Sequence, residues 1–131
     1  MPLYTVTTED GFLSDNQRDL ISTELVRLHT AATGVPANFV HTIFSTYPKG
    51  RAYVAGQIAS VASVMGVVRA GRSTEVKARL IKDIWAMFQD VTGASDADLS
   101  VALQDVPASQ AMENGKIMPE IGASAGDRLA C

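Results

Sequence analysis

The sequence predicts an α+β fold in which a βαβ unit is written twice. Two helix-start signals, Ser14 and Ser73, lie 59 positions apart. The strand-like runs that follow the helices begin near Phe39 and Leu99, 60 positions apart. A constant offset across two element types marks an internal duplication. Each unit also passes from strand to helical spacing and back, the pattern of parallel strands joined by a helix. The expected organisation is one domain over residues 1–131, with repeats of about 2–60 and 61–119 and a tail over 120–131. Pairing the units gives a four-stranded mixed sheet with both helices on one face. The opposite face keeps Val, Met, Ile and Phe positions, so other subunits are expected to cover it.

The elements follow in order. Pro2 to Thr7 reads as the first strand, and Glu9, Asp10 and Gly11 as a turn. Ser14 with Gln17 three residues later is a capping-box pattern, and Ile21, Leu25, Leu28 and Ala32 recur at helical spacing. Gly34 closes that helix, with Pro36 beyond it. Phe39 to Tyr47 is β-branched and aromatic and reads as a strand; Pro48 to Arg51 is a turn and Ala52 to Ala55 a short strand. Ser63 to Ala70 is the next long strand, broken by Gly71. Ser73 or Thr74 caps the second helix, Glu75 suits its positive end, and Val76, Leu80, Ile84, Phe88 and Val91 form its apolar stripe before Gly93. Leu99, Val101 and Leu103 alternate with Ser100, Ala102 and Gln104 as a half-buried strand that Pro107 stops. Short turns and a small-residue tail follow.

The totals exclude several functions. The chain has 131 residues, 47% of them hydrophobic, enough for one domain with a real core. Its formal charge is −3 and it has no Lys/Arg cluster, which argues against nucleic acid or an anionic membrane as partner. The single cysteine, Cys131, rules out an intrachain disulfide and a cysteine-built zinc site, and it is assigned no role. No signal peptide opens the chain, and IASVASVMGVV is too short and serine-rich to span a bilayer. A soluble, cytoplasmic protein is expected.

Pro2 raises a chemical question. Proline gives no N–H to a sheet ladder, so it suits the first residue of a strand. If Met1 is removed, the same residue is a secondary amine on a rigid ring, able to act as acid, base or nucleophile. An ordinary α-amino group titrates at about pH 8; burial and nearby cations lower that value and a carboxylate raises it.

MPLYTV at the start, LHTAATG in the first helix, VRAGRS after the third long strand, GRSTEVKARLIKDIWAMF with LSVALQDVP, and VPASQAMENG near the end have a specific order and spacing. In these segments the chain resembles the tautomerase superfamily, as two fused 4-oxalocrotonate tautomerase-like units, and most of all its cis-3-chloroacrylic acid dehalogenase group. The resemblance spans roughly residues 1–119. It implies a trimer, a catalytic Pro2, a substrate carboxylate held by His29, Arg69 and Arg72, and a water-activating Glu113, with no metal or organic cofactor. The family tyrosine that assists that glutamate falls on Ala102 here, so the water-activating pair is incomplete.

Each residue has a plainer reading beside this one. Arginines three apart in a turn are commonly solvated; on one anion, their forks and the start of the Ser73 helix would grip a carboxylate. His29, four residues after Leu25, either fills the core or donates an N–H into a pocket. Glutamates near turns, such as Glu113, are commonly inert. His41 matches no family position and reads as structural, Trp85 and Phe88 as core or interface, and Tyr4 and Tyr53 as possible pocket linings. The reading is an enzyme that tautomerises small 2-oxo or enol carboxylic acids through Pro2. The alternatives are hydration or dehalogenation of cis-3-haloacrylate-type acids, and a non-catalytic trimeric binding protein.

Overall fold

The computed structural model describes residues 1–122; residues 123–131, with Cys131 and most of the expected tail, lie outside the described residues. The elements are β1 (Leu3–Glu9), α1 (Asp15–Thr33), β2 (His41–Tyr47), β3 (Tyr53–Val54), β4 (Gln57–Ile58), β5 (Ala62–Arg69), α2 (Thr74–Thr92), β6 (Leu99–Val106), β7 (Met112–Glu113) and β8 (Lys116–Ile117). The main sheet has the order β2-β1-β5-β6. β1 runs parallel to β2 and β5 parallel to β6, while the central pair β1 and β5 is antiparallel. The expected four-stranded mixed sheet of an α+β fold is therefore present.

The helices start where the sequence places them. Ser14 accepts from the Gln17 N–H while the Gln17 side chain reaches back to the Ser14 N–H, a complete capping box. Ser73, not Thr74, caps α2 through the Val76 N–H. Gly34 and Gly93 end the helices in the left-handed region that glycine adopts without a side-chain clash.

Strand limits differ from expectation: β5 lies one residue earlier at each end, β3 is shorter, and β1 and β2 differ more. β1 continues through Glu9, because its pairing with β2 extends to Tyr47. β2 starts at His41, because Ala37–Phe39 after Pro36 closes a 3-10 turn. Two small hairpins, β3–β4 and β7–β8, were not anticipated as such. Their tips, Ala55–Gly56 and Asn114–Gly115, have positive φ at both positions, as a tight hairpin turn requires.

Alternation sorts the sheet into two faces. Tyr4, Val6 and Thr8 of β1 and Ala62, Val64 and Val68 of β5 are buried. The core cluster joins Tyr4, Val6 and Val64 to Ile21 and Leu25 of α1 and to Leu80, Ile84, Met87 and Phe88 of α2, with Trp85 partly buried beside it. Across the other face run register rows such as Ile43–Thr5–Met65–Ala102, in which Ile43 and Met65 are exposed. Among the described residues no helix is long and apolar enough to cross a membrane.

Candidate active site

The site lies where the start of β1 meets the end of β5. Met1, His29, Arg69 and Arg72 line one cavity, together with Thr33, Val35 and Leu103. Its free space is about 10 Å³. Pro2, next to Met1, is fully buried. The Met1 amine is ion-paired to Glu113. All five residues singled out from the sequence thus belong to one neighbourhood, although only three of them line the cavity itself.

Each is positioned by its element. Arg69 is the last residue of β5; it is 3% exposed although by strand alternation it follows Met65 and Val67 rather than the core-facing Val64 and Val68. Its Nη1 donates to the Pro119 carbonyl at 2.6 Å, while its Nε has no hydrogen-bond partner among the described residues. A buried guanidinium nitrogen left unmatched is costly unless something accepts from it. Arg72, just ahead of the α2 cap, donates to the Thr33 carbonyl at 3.3 Å. Glu113 is carried by the β7–β8 hairpin; one oxygen takes the terminal amine and the other, Oε2, has no partner among the described residues. The segment after the hairpin crosses the β5–α2 turn: a Cβ built on Gly71 would lie 3.0 Å from Ile121. The residues after β8 therefore brace the arginine turn.

His29 is 3% exposed and its Nδ1 is 2.7 Å from the Tyr4 hydroxyl. Burial first, then Arg72 and the terminal amine, lower its pKa to about 4, so it is neutral at pH 7. Burial likewise raises the Tyr4 phenol above its ordinary value. The arrangement offers a buried arginine, Arg69, a half-buried one, Arg72, and a neutral imidazole to an anion, with an amine and a carboxylate alongside. Among the described residues no three His, Cys, Asp or Glu side chains are grouped to hold a metal ion.

The other candidates fall elsewhere. His41 is exposed at the start of β2. Tyr53 is exposed on the β3–β4 hairpin and lines a separate groove with Thr7, Tyr47 and Met65. Ala102 is exposed in the register row of Met65, so a side chain there faces away from the helices. Lys77 lines the cavity and was not singled out from the sequence; it pairs with Asp105 at 2.8 Å. A lysine in a first helical turn carries no signal that separates it from a solvated one.

Solved structures share this fold. Native Ps01740 is 39% identical, with 85% of this chain and 99% of that chain covered at a TM-score of 0.84. N1, a member of the cis-3-chloroacrylic acid dehalogenase family, is 25% identical over 92% of this chain and 85% of its own, at 0.86. A fused 4-OT that forms a symmetric trimer is 27% identical over 86% and 93%, at 0.78. No curated protein matches the sequence. The fold and its neighbours define a fused two-unit protein of the tautomerase superfamily, a superfamily of isomerase-type enzymes. More particularly, the chain belongs to the family described as putative oxalocrotonate tautomerase enzyme, whose sequence profile matches residues 1–130.

Proposed function

We propose that this chain is a cofactor-independent tautomerase of small 2-oxo and enol carboxylic acids, working through the Pro2 amine after Met1 is removed. The observation that carries the reading is the convergence of Met1, His29, Arg69 and Arg72 on one cavity, with Glu113 on the terminal amine. With Met1 present the free space, about 10 Å³, is no more than one water needs. Loss of Met1 vacates it and transfers the terminal amine to the proline ring.

In this mechanism a substrate carboxylate takes the place of the missing acceptor at Arg69 Nε and is shared with Arg72 and His29. Neutral Pro2 removes a proton from the enol oxygen or from carbon and returns it to another atom of the same molecule, so no redox partner is involved. The guanidinium groups offset the charge that spreads over the dienolate. Positioning and general base action together supply the rate.

The ion pair between Glu113 and the terminal amine favours a second reading, hydration of cis-3-haloacrylate-type acids. There the amine stays cationic and protonates the α-carbon, while Glu113 directs water to the β-carbon. Ala102 carries no hydroxyl with which to assist Glu113. The open sheet face and the trimeric fused 4-OT support a homotrimer, checked by light scattering.

The intact mass of the purified protein is expected to lack Met1. The rate with phenylenolpyruvate is expected to rise with pH through the titration of the amine. A rate with 3-chloroacrylate that falls over the same range identifies the hydratase instead. Retention of Met1 with no turnover of either acid leaves a binding protein.

A further inference from the structure

Tyr4 is the largest fully buried side chain among the described residues, and a strand-interior glycine makes room for it. Tyr4 and Gly66 are register partners in the antiparallel β1–β5 pair. A Cβ on Gly66 would lie 2.6 Å from Tyr4 Cε1 and 2.8 Å from Leu103 Cδ2, closer than real contacts allow. The φ of Gly66 is not in the left-handed region, so space, not backbone conformation, demands the glycine. Over this notch the Tyr4 ring meets His29 edge to face, with centroids 5.7 Å apart.

We propose that Tyr4, seated over Gly66, is a positioning residue that holds His29 in the tautomer with its proton on Nε2, presenting a neutral N–H donor to the carboxylate. This rests on the assignment of His29 to the carboxylate in the reading above. The hydroxyl and Nδ1 are 2.7 Å apart, and either atom can donate. If Nδ1 donated, the phenol's own proton would be buried with no acceptor among the described residues, at real cost. Tyr4 therefore donates and Nδ1 accepts, which leaves Nε2 protonated on the side of the ring that remains for the cavity. A histidine neutral at pH 7 gains no donor by protonation, so the tautomer alone decides whether it attracts or repels a carboxylate oxygen. The partner of one ring nitrogen sets the state of the other, as it does for metal-bound histidines.

The test is 15N NMR of the imidazole nitrogens in the full chain without substrate, with His41→Gln to assign the second histidine. Wild type is expected to show the Nε2–H form and Tyr4→Phe a mixture of both forms. For phenylenolpyruvate, Tyr4→Phe is expected to raise KM about tenfold with a smaller change in kcat, the scale of one hydrogen bond to a charged group. Gly66→Ala keeps both hydrogen-bonding groups, displaces the ring, and is expected to move tautomer and KM in the same direction. It serves as the second variant if Tyr4→Phe folds poorly. An unchanged tautomer in both variants overturns the proposal. A shifted tautomer with unchanged KM, beside a His29→Gln variant that binds as wild type, overturns instead the assignment of His29 to the carboxylate.

Discussion

The cavity at Met1 has a counterpart in the second half of the chain, and the two are built alike but filled differently. α1 and α2 each span 19 residues, and their starts, Asp15 and Thr74, are 59 positions apart. Both end on the same side-chain device: Thr33 donates to the His29 carbonyl and accepts from Val35, and Thr92 donates to the Phe88 carbonyl and accepts from Ala94. His29 thus corresponds to Phe88. The last residues of β1 and β5, 60 positions apart, are Glu9 and Arg69. By the same offset Met1 corresponds to Val61, and Tyr4 to Val64. Phe12, Val61, Ala62, Gly93 and Ala94 line a cleft of about 240 Å³ at the equivalent place, with no Arg, Lys or His in its lining among the described residues.

The difference teaches that the fold supplies a concavity at each βαβ crossover, and that chemistry needs more than the concavity. The first unit contributes the chain terminus and a buried imidazole, the second contributes both arginines. Neither half holds the set alone. The internal amide at Val61 can never be an amine.

The comparison can be broken most directly at the amine. Pro2→Ala is expected to fold and to lose about 100-fold or more in kcat, the scale of a lost general base. A full rate in a folded Pro2→Ala protein removes the functional distinction between the two ends of the sheet.

The buried pair is tested by exchange. Phe88→His places an imidazole where Val64, not a tyrosine, is the nearby strand residue, and is expected to cost about 3 kcal/mol in denaturant unfolding. A cost well under half of that means that the second unit tolerates the first unit's chemistry.

Acid should expose the same contrast. The folded pKa of His29, about 4, lies below the ordinary value of 6.5, so the unfolded chain binds the extra proton. Stability from this group is therefore lost as pH falls from about 6.5 towards 4, by at most about 3 kcal/mol, and no further below that. His29→Gln is expected to flatten that part of the stability-versus-pH curve. An identical curve for the variant shows that His29 is not held neutral.

The finest comparison pairs the two turns. Arg72→Ala is expected to raise KM about tenfold through loss of a charged hydrogen-bond donor, and Phe12→Ala, its counterpart, to leave KM unchanged. Equal KM values for the two variants place the carboxylate elsewhere.

Much of this was legible in the residues because local physics fixes it. Ser14 and Ser73 satisfy exposed helix N–H groups, and Gly34 and Gly93 relieve left-handed ends, so the helices are readable within a residue. The burial of His29 followed from its spacing to Ile21 and Leu25. The β7–β8 hairpin was readable in principle from Asn114–Gly115, but two-residue strands lack the alternation that announces a strand. The burial of Arg69 was not readable, since an arginine at a strand end is ordinarily solvated; the Pro119 carbonyl fifty residues on is what covers it.

The sequence by itself determined the duplicated βαβ plan, the helix ends and the types of residue available for chemistry, because capping, periodicity and turn preferences act over a few neighbouring residues. Only the tertiary structure decided that Tyr4 reaches His29 across Gly66, that Arg69 is buried with one nitrogen unmatched among the described residues, and that Glu113 meets the chain terminus. Those contacts join residues 25 to 112 positions apart, and they exist only once the sheet register and the crossing of the last hairpin bring distant segments together.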